Sequence, residues 1–147
     1  MLQFGTPSAD AVSRAGAYGI VVRDGLAAVV RWRGAIHLPG GGIEAGESPE
    51  EALHREVAEE AGLLVAVAAE LGVAAQAVPR AHKPMLNKIC HYFRCRVVGT
   101  TEQVEQDHEL LWVPLPELEA TLVLEADRWA LAQAPGLMQR STSTTHR

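Results

Sequence analysis

Residues 41–63 run GGIEAGESPEEALHREVAEEAGL, and the reading of this stretch decides the fold. Ser48 is a helix N-cap, Pro49 suits the first helical turn, and Glu51 completes an S-x-x-E capping box. Gly62 supplies the stop in the position where a left-handed cap is common. The pattern predicts a helix over 49–61. On a wheel with Arg55 at the origin, Glu59, Glu56 and Glu60 fall at about 40°, 100° and 140°. Leu53, Val57 and Ala61 follow at about 160°, 200° and 240° and form the buried stripe. Three carboxylates and one arginine therefore share the flank beside the core face.

As pure structure this flank is unfavourable, because Glu56 and Glu60 are like charges at i,i+4 and Glu59 lies next to Glu60. A solvated face with an Arg55–Glu59 pair is the plain explanation. The competing one is that the carboxylates collect hard divalent cations, which want oxygen ligands. The upstream run Gly40-Gly41-Gly42 favours the second, since it permits close backbone approach and offers carbonyl oxygens. It follows Leu38-Pro39 and is expected to be irregular.

Outward from this segment, residues 17–23 and 26–32 read as strands joined by an Asp24-Gly25 hairpin. Residues 63–77 are ambiguous between strand and helix, 88–98 and 109–113 read as strands, and 117–133 is helical, at least from Glu125. The expected organisation is an N-terminal arm or edge element over 1–14, one domain over 15–135, and a polar tail over 136–147. Cys90 and Cys95 sit an odd number of residues apart, so a strand sends them to opposite faces as unpaired buried thiols, as in a reducing cytoplasm.

The chain has 147 residues and a formal charge of −5, of ordinary globular composition. No apolar run reaches the length of a membrane span, and the start lacks the basic and apolar pattern of a signal peptide. The charge is concentrated. Between Glu44 and Glu60 seven acids face only Arg55, a net −6 that leaves +1 for the rest. This balance disfavours nucleic acid as a partner.

The spacing from Gly41 through Glu47 to Arg55-Glu56-Val57-Ala58-Glu59-Glu60-Ala61-Gly62-Leu63 reproduces G-x5-E-x7-R-E-U-x-E-E-x-G-U without a departure. The sequence thereby resembles the Nudix hydrolases. The resemblance implies an α/β/α sandwich with a mixed β-sheet between helices, and a diphosphate hydrolase acting on a small nucleotide derivative. It implies Mg2+ or Mn2+ bound by Glu56, Glu59, Glu60 and the Gly40 carbonyl. Arg55 would orient the carboxylates, Glu47 would support them, and Glu56 would position or deprotonate the attacking water. Family members are often homodimers.

The family commonly adds an acid from a loop outside this box. Of Glu102, Glu105, Asp107 and Glu109, the expectation is Glu109, because it directly precedes the apolar run Leu110-Leu111-Trp112, with Glu105 second. Arg31, His37, Tyr92 and Arg94 are the candidate substrate contacts. His108 beside Glu109 is a further candidate near the site, whereas His54 and His91 read as structural. Pro79, sixteen residues after Leu63, is a position where ADP-ribose-type members often carry proline. The alternative function is a non-catalytic nucleotide sensor on the same fold, which would not need every carboxylate.

Overall fold

A computed structural model describes residues 1–134, so the polar tail expected over 136–147 lies outside the described residues. In chain order the elements are β1 (Leu2–Phe4), β2 (Val12–Arg23), β3 (Leu26–Trp32), β4 (Ala35–His37), β5 (Gly40–Gly42), α1 (Pro49–Ala61), β6 (Leu63–Val78), β7 (Leu86–Thr100) and β8 (Glu109–Pro114). A 3-10 turn (Leu115–Glu117), α2 (Leu118–Thr121) and α3 (Glu125–Ala132) follow.

The hairpin between β2 and β3 forms as its sequence dictates. Asp24 and Gly25 both take positive φ, 51° and 76°, the primed-turn geometry that matches strand twist. The strands form one mixed sheet in the order β1-β6-β7-β2-β3-β4, with β5 also on β2 and β8 on β3. β1–β6 and β2–β7 are parallel and the other pairs antiparallel.

Helices cover both faces. Leu53, Val57 and Ala61 of α1 pack on Val21, Val30, Phe93 and Cys95. On the other face Leu118, Leu122, Ala126 and Ala130 pack on Ile20, Val29, Cys90 and Tyr92. This is the expected sandwich, with Cys90 and Cys95 free, buried and on opposite faces.

Four local expectations are resolved or changed. Gly40–Gly42 is not an irregular loop but the strand β5, paired through Tyr18↔Gly40 and Gly16↔Gly42. Close packing on two sides is the reason: a Cβ on Gly40 would collide with the Ala17 carbonyl, and one on Gly41 would stand 2.5 Å from Glu56 Oε2. The ambiguous 63–77 segment is the long strand β6, which runs along β7 through three register shifts. Part of the expected arm joins the sheet, where Leu2–Phe4 pairs with Ala74–Gln76. The helix expected over 117–133 is interrupted at 122–124. Its second part lacks a side-chain cap of its own, and Gln76 Oε1 from β6 accepts from the Ala126 N–H instead.

Candidate metal centre

α1 begins and ends as its sequence specifies. Ser48 and Glu51 form the reciprocal capping box, and Gly62 closes the helix at φ 66°. Its flank points at β5. Arg55 holds that flank together: its Nε and Nη2 donate to the two oxygens of Glu47 at 2.7 and 3.0 Å. Nη2 also donates to the Gly42 carbonyl at 2.9 Å, and Nη1 to Glu56 at 2.7 Å. Glu59 is 3.5 Å from Nη1. A planar fork is what allows one side chain to clamp a neighbouring loop and two site carboxylates together. The pairing with Arg55 holds the Glu47 carboxyl at about 2, far below the ordinary range.

Glu60 differs from its neighbours. At about 140° it sits against the buried stripe, and it is only 5% exposed. The Gly40 N–H donates to its Oε1 at 3.0 Å. Burial pushes its carboxyl up to about 8, and the nearby carboxylates of Glu56, Glu105 and Glu59 add to the rise. Burial also raises Glu56, against the pull of Arg55.

Glu105 reaches this cluster through the backbone. The carbonyls at the end of α1 have no partners within the helix. The loop after β7 supplies them: Thr101 N–H donates to Gly62 O, while Val104 and Glu105 N–H both donate to Glu59 O. Glu105 then groups with Glu56 and Glu59 on one side, and with Glu60 and His108 on the other. Within each group one ligand atom per residue lies within 4.8 Å of the others. Four carboxylates thus converge beside a single guanidinium, an arrangement suited to divalent cations.

The expectation that Glu109 joins the cluster is not what the structure shows. Glu109 stands opposite Arg31 in the β3–β8 register and pairs with it at 3.2 Å, both side chains about half exposed. Strand alternation holds it on that surface pair, and Arg31 with it. Glu105 takes the place, two residues before Asp107, because the loop is tied to the helix end. Only hydrogen bonds across the fold reveal this.

The expected substrate contacts divide. Tyr92 is 1% exposed in the core and donates to Asp127 Oδ1 at 2.6 Å, so its hydroxyl is spent on α3 rather than presented to a ligand. Arg94 is partly buried along β7, opposite Ala69 and Ile20. His37 is partly buried, bonded to the Leu38 carbonyl, with its pKa lowered by burial. Among the described residues, neither metal-capable group includes Arg31, His37, Tyr92 or Arg94. His54 and His91 line a separate cavity of about 440 Å³ between the start of α1 and β6–β7.

His108, the lesser candidate of the sequence, is the group that the fold promotes: its side chain is 10% exposed and lies 3.7 Å from Glu60. Asp127 carries no signal in the sequence. Asp127 is buried under α3, and the Lys88 ammonium sits 4.6 Å over the Tyr18 ring. A buried acid on a helix face leaves no trace in local spacing.

The family model described as NUDIX domain matches residues 13–134. An ADP-ribose pyrophosphatase of Methanocaldococcus jannaschii is 40% identical over 60 residues, 37% of this chain and 36% of that protein. A Mycobacterium tuberculosis protein, provisionally named 8-oxo-dGTP diphosphatase 2, is 30% identical over 80% of this chain and 77% of its own length. The crystal structure of a MutT NUDIX hydrolase from Burkholderia pseudomallei superposes with a TM-score of 0.64 at 30% identity, over 83% of this chain and 98% of that one. The match runs from the start of β2 to the end of the described chain and takes in every residue of the acidic flank, and the chain belongs to the NUDIX domain family as a MutT-like member.

Proposed function

We propose that this protein is a metal-dependent hydrolase of a nucleoside diphosphate derivative, cleaving the diphosphate linkage with water to give a nucleoside monophosphate and a phosphorylated remainder. The observation that carries this reading is the convergence of Glu56, Glu59, Glu60 and Glu105 beside one arginine.

The donor set fits Mg2+ or Mn2+. Hard oxygen ligands cluster, and a buried carboxyl among them is pushed up to about 8 when no cation balances it. Glu56, Glu59 and Glu60 would hold the ion with the Gly40 carbonyl, joined by Glu105. When bound, such an ion masks phosphate charge and makes the attacking water more acidic. Arg55 fixes the carboxylates in place without needing to touch substrate, and Glu47 anchors Arg55. Glu56, raised by burial, is the group to hold or deprotonate the water.

The names of the relatives support substrates built on nucleotides linked through phosphates. Pro79 stands where ADP-ribose-type members often carry proline, which puts ADP-ribose among the compounds to test. Free, buried Cys90 and Cys95 support a cytoplasmic setting, and among the described residues no helix is long and apolar enough to cross a membrane.

The test is a product-release screen with Mg2+ or Mn2+ over ADP-ribose, nucleotide sugars, dinucleoside polyphosphates, and canonical and oxidised nucleoside triphosphates. Release of a nucleoside monophosphate from one class is the expected result. Tight nucleotide binding with no turnover across the panel would replace the hydrolase reading with that of a sensor.

A further inference from the structure

The loop that delivers Glu105 also delivers a nitrogen. The His108 ring stacks on Trp32 at 5.4 Å between centroids and 7° between planes, and Arg33 covers the Trp32 ring at 4.4 Å. Asp107 completes the mounting. One of its oxygens lies 3.0 Å from His108 Nδ1, and the other accepts from Trp32 Nε1 at 3.0 Å. Glu105 Oε2 stands 3.5 Å from the same Nδ1, so the imidazole is held by its face and by one edge.

That edge decides which atom is free. An aspartate carboxylate accepts and does not donate, so the hydrogen of this bond sits on Nδ1. Nε2 lies on the opposite edge, 3.7 Å from Glu60 Oε2, and is the nitrogen left to meet a cation. Both side chains are nine-tenths or more buried there, at 10% and 7% exposure. Nε2 and Glu60 Oε2 face one another beyond hydrogen-bonding distance, and a Glu105 oxygen groups with both residues within 4.8 Å, a spacing that leaves room for a cation. A carboxylate that orients a histidine through its other nitrogen is the arrangement by which proteins present imidazole to metals.

We propose that His108 Nε2 is a direct metal ligand alongside Glu60 and Glu105, forming a mixed nitrogen–oxygen position that prefers a first-row transition ion such as Mn2+ over Mg2+. The preference follows from donor type. Mg2+ is a hard ion taken up by oxygen, whereas imidazole adds affinity for transition ions. Glu56 and Glu59 form the all-oxygen position with the same Glu105, which stands between the two groups as their shared carboxylate. This inference rests on the metal reading above and gives that metal centre two unlike halves.

The test uses the full chain with Mn2+ or Mg2+ alone, in wild type and in His108→Gln. Pulsed electron paramagnetic resonance of bound Mn2+ reads a directly coordinated 14N, and titration reads affinity for each ion. The expected result is 14N coupling in wild type that disappears in His108→Gln. Mn2+ affinity should drop by at least about tenfold, the low end for disturbing even an outer partner of a metal site, with Mg2+ affinity changing far less. Bound Mn2+ without nitrogen coupling in wild type overturns the proposal, and this readout needs no folded variant. So does a His108→Gln protein that keeps its full Mn2+ affinity. Failure of the underlying metal reading is a different result: wild type binds neither ion, which overturns both.

Discussion

The Gly40 N–H donates to Glu60 Oε1 at 3.0 Å and joins the glycine strand to the acidic flank of α1. A buried carboxyl thus has one oxygen committed to the backbone and the other directed at His108. Glu60→Gln keeps an oxygen for Gly40 and removes the charge. The expected outcome is loss of metal-dependent hydrolysis by at least about a hundredfold, on the scale of deleting a charge-stabilising group, with an unchanged circular dichroism spectrum. Full retention of activity would sink the metal assignment.

The same carboxyl predicts a pH dependence of stability in the presence of chelator. Folded, Glu60 titrates at about 8 because it is buried, while an unfolded glutamate titrates near about 4.3. Between those values the folded chain holds a proton that the unfolded chain has released. Stability contributed by this group is therefore complete below the lower value and is lost as pH rises toward 8, with a slope of at most about 1.4 kcal/mol per pH unit. Urea midpoints measured across this window should fall with pH in wild type and fall less in Glu60→Gln.

Two acids close in sequence should separate cleanly. Glu105→Gln is expected to weaken Mn2+ binding and turnover by about tenfold or more, since it removes a shared carboxylate. Glu109→Gln breaks only an exposed pair with Arg31 and should change stability by less than about 0.5 kcal/mol and turnover hardly at all. Isothermal titration with Mn2+ and steady-state rates distinguish them, and the reverse ranking would refute the loop geometry.

Arg55→Lys keeps the charge and loses the fork that spans Glu47, Gly42 and Glu56. The expected effect is a fall in kcat of about ten- to a hundredfold with a lowered Tm, and little change in KM. A fall confined to KM would instead place Arg55 on the substrate.

Tyr92→Phe tests the core assignment. It strips the donor from Asp127, a carboxyl 4% exposed that burial already raises. The expected cost is about 1–3 kcal/mol of stability without a change in KM. A raised KM with unaltered stability would return Tyr92 to the binding site.

What could be read in advance divides by range. The helix 49–61 carried its own cap, box and stop, and its wheel already set Glu60 against the stripe formed by Leu53 and Val57, where the fold buries it. The Asp24-Gly25 hairpin was equally local. That Glu105 and not Glu109 lies in the acidic group is not legible locally, because the bonds that place it run from the loop to Glu59 O, across more than forty residues of chain. The odd spacing of Cys90 and Cys95 puts them on opposite faces, as in the fold, but that α3 covers the face of Cys90 and Tyr92 depends on residues far down the sequence. The glycine strand was missed because glycine marks close packing as well as turns, and only the neighbours of Gly40 and Gly41 tell the two apart.

Glu59 bears two duties through separate atoms. Its carbonyl accepts the Val104 and Glu105 amides, and its carboxylate belongs to the acidic group. Shape and charge at this position can therefore be edited independently. A substitution that neutralises the side chain removes a carboxylate from the acidic group and leaves the loop docked. The charge of the acidic group can drift while the scaffold that presents it stays in register.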